Sequence, residues 1–130
     1  MMSQMKVLKT LLLSILFVCG AANAHVELYD AKPAANSMLE NAPEELLLSF
    51  SGDVRMVKLT LTDAKGKAVN FGFKPVMDAT DEMRWTLPAL AAGKYTVQWK
   101  VMGEDGHTFE DSYGFHVHGS HTQHGSHYSA

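Results

Sequence analysis

The sequence predicts an all-β domain, a Greek-key β-sandwich or small barrel of about seven short strands. Three observations lead there. Apolar residues after residue 24 recur mostly with period two. Turn-forming Gly, Pro, Asn, Asp and Ser punctuate the chain at short intervals. No segment after residue 24 sustains the 3.6-residue pattern of a long helix.

The chain has 130 residues and opens with a secretory leader. Lys6 and Lys9 form its positive region, Leu11 to Val18 its apolar region, and Ala22-Asn23-Ala24 a cleavage site, so cleavage after Ala24 is expected. The apolar run is shorter than the roughly 20 residues a spanning helix needs, and no second run follows. A soluble exported domain without direct membrane insertion is expected. Cys19 is the sole cysteine and lies in the leader behind bulky Phe17-Val18, where a lipid-attachment motif has small residues. The mature chain therefore has no disulfide and no thiolate ligand.

His25-Val26-Glu27-Leu28-Tyr29 alternates and reads as the first strand, followed by a turn-rich stretch from Ala34 to Pro43. Glu45 to Phe50 reads as the second strand, interrupted by Ser51-Gly52-Asp53. Val57 to Thr62 is the third. Asp63 to Lys67 is a hairpin turn leading into Val69-Asn70-Phe71. Residues 72–82 show no clear period, and Met83 to Leu87 then alternates again. Tyr95, Val97, Trp99 and Val101 give the strongest strand, their faces opposite to Thr96, Gln98 and Lys100. A loop from Gly103 to His107 leads to the last strand, Phe109 to Val117, with Tyr113, Phe115 and Val117 on one face. Trp85, Tyr95, Trp99, Tyr113 and Phe115 read as core. Residues 118–130, rich in Gly, Ser, His and Gln, read as a disordered tail.

The formal net charge is −3, and it becomes more negative once the leader with its two lysines is removed. Such a domain is poorly suited to nucleic acid or to an anionic membrane surface. The histidines are distributed unevenly: His25 starts the mature chain, His107 precedes the last strand, and His116, His118, His121, His124 and His127 crowd the end. No histidine lies between His25 and His107, which leaves no central base for a hydrolytic triad.

A terminal histidine offers two nitrogens, the free α-amine and Nδ1 of its own ring. Together they chelate a metal at little entropic cost, and two such nitrogens suit tetragonal Cu(II). The chelate exists only after cleavage, which ties metal binding to export. Asp105 and His107, at i and i+2, can point to the same face and give one ion an oxygen and a nitrogen, with Gly106 leaving room between them. Glu104-Asp105-Gly106 is also ordinary turn chemistry.

Several segments together resemble one family: His25 at the cleavage point, Pro33-Ala34-Ala35-Asn36, Leu48-Ser49-Phe50-Ser51, the run from Ala92 to Val101, Asp105-Gly106-His107 and Tyr113-Gly114-Phe115. Over roughly residues 25–117 the chain is similar to the CopC family of periplasmic copper-resistance and copper-homeostasis proteins. The resemblance implies an Ig-like, cupredoxin-like Greek-key barrel. It implies one Cu(II) ion held by the amine and ring of His25, by Asp105 and by His107, and a CopD-like inner-membrane copper transporter as partner. A periplasmic, monomeric carrier or buffer of copper is the expectation, with no catalysis. Many relatives have an acidic residue after F-S; here Gly52 stands there, so Asp53 or water would complete the coordination. Met38, Met56, Met77, Met83 and Met102 are dispersed without close spacing. They read as core filler and argue against a Cu(I) site. His118, His121, His124 and His127, three apart, form a candidate weak secondary trap for Cu(II), Zn(II) or Ni(II) that fades in acid, because neutral imidazole is the ligand form.

Two other functions compete. A terminal histidine with a second histidine is also the copper brace of monooxygenases, but Asp105 would occupy a copper position and the short chain leaves little room for a substrate platform. A metal-free interaction module would use the same fold.

Overall fold

The computed structural model describes residues 25–119. They form β1 (Leu28–Lys32), β2 (Met38–Leu39), β3 (Glu45–Asp63), β4 (Val76–Thr86), β5 (Gly93–Gly103) and β6 (Thr108–Val117). The leader, its cleavage site and His121, His124 and His127 lie outside the described residues, whereas His118 lies within them. The sheet order is β1-β3-β5-β6-β2, with β4 paired to β3, and every pair is antiparallel except β2–β6.

The sheet is curled on itself. In sheet order, β1 and β6 are three strands apart, about 14 Å if flat. Yet the Tyr113 hydroxyl of β6 donates a 2.7 Å hydrogen bond to the carbonyl of Pro33, directly after β1. At the other end of β1, the His25 ring meets the Phe109 ring of β6 edge-on at 5.5 Å. Leu46, Leu48, Val97, Trp99 and Phe115 fill the interior between the two halves, each 5% exposed or less. The strand from Tyr95 to Val101 alternates as expected.

Six strands replace the expected seven, and each difference has a local cause. The second and third expected strands are one: β3 runs through Ser51-Gly52-Asp53, which is a bulge and not a break. Its pairing with β4 slips between Ser49 and Val54. A further slip against β5, between Met56 and Lys58, leaves Met56 buried and turns Val57 outward. β1 starts at Leu28, and its alternation breaks at Tyr29-Asp30, where its pairing with β3 slips. Val69-Asn70-Phe71 keeps only a bridge, Ala68 to Thr62. β4 begins within the stretch that showed no period. β2, two residues long, arises inside the expected turn region.

The hairpin turn at Asp63 follows its chemistry. Its Oδ1 accepts from the amides of Lys65 and Lys67, at 2.9 Å each, and Gly66 takes φ 82°. Among the methionines, Met56 and Met83 are core, as expected. Met38 and Met77 are not: they are 58% and 70% exposed.

Burial pushes the Tyr113 phenol well above its ordinary value. Folding therefore holds it protonated. Its contribution is complete below the ordinary phenol value of about 10 and is lost as pH rises through the raised one. Tyr113→Phe removes the bond to Pro33 and is expected to cost about 1 kcal/mol, a fall in melting temperature of roughly 4–8 °C. Thermal melts at neutral pH and above pH 10 check this, the variant being less sensitive to alkali than the parent.

Candidate metal centre

The β5–β6 turn presents Asp105 and His107 together. Its frame is set by backbone bonds: the Gly103 amide donates to the His107 carbonyl at 2.8 Å and the Gly106 amide to the Gly103 carbonyl at 3.0 Å. Gly106 sits at φ 89°, a conformation side chains other than glycine adopt with strain. Asp105 Oδ1 accepts from the His107 amide at 3.0 Å, and Oδ2 lies 2.9 Å from His107 Nδ1. These bonds, the backbone one foremost, hold the Asp105 carboxyl below the usual carboxylate range. In the tautomer whose Nδ1–H donates to this carboxylate, Nε2 of His107 is the nitrogen left to face a metal. Both side chains stand open to solvent, His107 at 77% and Asp105 at 49% exposure.

His25 lies nearby but apart. Its ring rests on Phe109, two residues beyond His107, in a depression it shares with Glu110 and Asp111. Phe109 and Asp105 both pack on Gly103: a Cβ placed there would lie 3.6 Å from the Phe109 ring and 3.5 Å from Asp105 Oδ1. The segment after His25 is fastened to β3 by Ser51, whose hydroxyl accepts from the Glu27 amide at 3.0 Å and whose amide donates to the Glu27 carbonyl at 2.9 Å. Asp53 lines a second depression with Val26, Gly103, Glu104 and Asp105.

The structure thus brings Asp105 and His107 into contact and sets His25 on the same end of the sheet. Among the described residues, no three His, Cys, Asp or Glu side chains come close enough to hold an ion together. Sequence reading missed Phe109 as a seat for His25. Its signal was parity: Phe109 shares a face with Tyr113, Phe115 and Val117 and is the member of that row nearest the turn.

A CopC domain model matches residues 28–118. The chain belongs to the CopC family. Copper resistance protein C of Escherichia coli is 31% identical over 113 residues, covering 79% of this chain and 89% of that protein. Protein YobA of Escherichia coli K12 is 32% identical over 98 residues, covering 72% and 79% respectively. The crystal structure of CopC from Methylosinus trichosporium OB3b superposes with a TM-score of 0.64 at 33% identity, covering 74% of this chain and 96% of that one. That of PcoC, a methionine-rich copper resistance protein from Escherichia coli, does so with 0.56 at 31%, covering 72% and 99%. CopC membership makes the function of this chain copper-related and non-enzymatic, and confirms the β-sandwich or barrel class. The brace-enzyme and metal-free readings are thereby set aside.

Proposed function

We propose that this CopC-family chain is an exported Cu(II) carrier or buffer that works in the periplasm after cleavage behind Ala24. It binds one Cu(II) through the α-amine and ring of His25, through Asp105 and through His107. A CopD-like inner-membrane transporter is the recipient this reading favours. The observation that carries it is the Asp105–His107 pair, preset at 2.9 Å on the hairpin tip, with His25 seated on the adjacent Phe109.

The two halves of the site have different tasks. Asp105 fixes the His107 ring and tautomer and brings a negative charge that offsets the dication. His25 supplies the chelate that only the cleaved chain possesses. Asp53, which lines one depression with Asp105, or water completes the coordination. His118, His121, His124 and His127 form a weaker secondary trap for metal.

Competition titration with a Cu(II) chelator tests the set. His107→Ala is expected to weaken the tight site by about 100-fold and Asp105→Ala by about tenfold or more, the range over which ligand and supporting changes act. Unchanged affinity in both variants would remove the hairpin from the site.

A further inference from the structure

We propose that Ser51 is a positioning residue for the copper site: its hydroxyl holds the segment ending in His25 within reach of Asp105 and His107. The role rests on the Cu(II) reading of His25 and adds to it a residue that itself touches no metal.

The observation is how Ser51 completes a pair that the backbone leaves half made. β1 begins at Leu28, which is opposite Phe50 of β3. One step further out, Glu27 faces Ser51. Two residues of a hydrogen-bonded antiparallel pair exchange two backbone bonds. Ser51 makes one of them in the ordinary way, its amide donating to the Glu27 carbonyl at 2.9 Å. The other goes to its side chain: the Glu27 amide donates to the Ser51 hydroxyl oxygen at 3.0 Å. Ser51 starts the Ser51-Gly52-Asp53 bulge, where the ladder is disrupted and a short side-chain acceptor takes the place of the carbonyl. A residue without such an acceptor would leave Glu27 held by a single bond.

Each residue beyond this clamp has a contact of its own. Val26 lies against Gly52, where a Cβ would stand 3.7 Å from Val26 Cγ2. The His25 ring meets the Phe109 ring edge-on at 5.5 Å. With the clamp closed, His25 hangs two residues from its last paired neighbour, about 7 Å of chain. With it open, the last paired residue is Leu28 and the lever grows to about 10 Å. A longer lever spreads the amine and the ring over more positions, and copper must then order one more residue when it binds. A loss of about tenfold in affinity is expected, the lower end of the range for residues that support metal ligands.

Chelator competition on the full mature chain with one equivalent of Cu(II) tests the role. Ser51→Ala is expected to weaken binding by about tenfold. Ser51→Thr keeps the hydroxyl and is expected to bind as the parent does. Electron paramagnetic resonance of Ser51→Ala at saturation should keep the nitrogen couplings of the parent, because the ligands are the same. The deciding comparison uses a chain with His25→Ala and an acetylated α-amine, which has no terminal nitrogens to position. There Ser51→Ala should change nothing further. Parent affinity in Ser51→Ala, an equal loss in Ser51→Thr, or the same loss in the chain without terminal nitrogens would each overturn the role. Parent affinity in that last chain would instead overturn the His25 reading, and the role of Ser51 with it.

Discussion

Acetylation of the α-amine of His25 in the mature chain lowers Cu(II) affinity by about 100-fold or more, equivalent to about 2.7 kcal/mol. The acetyl group converts the α-amine into an amide without supplying a new amine, so one of the two chelating nitrogens is lost. The fold is untouched, because residue 25 is exposed and β1 begins only at Leu28. Melting curves without copper should therefore superpose, while a chelator competition titration separates the two proteins widely. Equal Cu(II) affinity with and without the acetyl group would exclude the amine from the site.

Phe115→Ala produces the largest loss of stability, about 3–5 kcal/mol. Phe115 is 1% exposed and stacks on Tyr95 with ring centres 5.5 Å apart and planes 19° apart. It also joins β5 to β6, the hairpin whose tip carries Asp105 and His107. A domain of this size is stable by only about 5–15 kcal/mol, so the variant sits near its unfolding threshold. Urea denaturation checks the value, with the midpoint falling and the slope preserved. To the extent that Cu(II) binds the folded chain more tightly than the unfolded one, saturating copper should return part of this loss, up to about 2.7 kcal/mol at a hundredfold excess over its dissociation constant. A loss below about 1 kcal/mol would mean that the interior relaxes around the cavity.

What could be read from the sequence follows from where each signal is local. Tyr95, Val97, Trp99 and Val101 alternate without interruption because β5 is paired on both sides and its inward face is wholly core, so period two survives intact. β4 pairs only with β3, and Val76 to Glu82 carries Asp78, Asp81 and Glu82 on an edge. Charges of this kind protect an edge from further pairing and erase the alternation. The bulge at Ser51-Gly52-Asp53 looked like a chain break because Gly and Asp signal turns and bulges alike.

The candidate site divides the same way. His25, Asp105 and His107 were legible because terminal chelation and the i, i+2 spacing are properties of short segments. Their mutual placement was not, since it depends on how Ser51 holds the N-terminal segment and how Phe109 receives the His25 ring.

The central claim is a copper site created by the new N-terminus. Its most direct measurement is electron paramagnetic resonance of the chain beginning at His25, with His118, His121, His124 and His127 changed to Gln, titrated with Cu(II). The account predicts one tight, tetragonal signal saturating at one equivalent, with nitrogen hyperfine structure that changes in His107→Ala. A signal that is weak, that needs several equivalents, or that is the same in His107→Ala would contradict it.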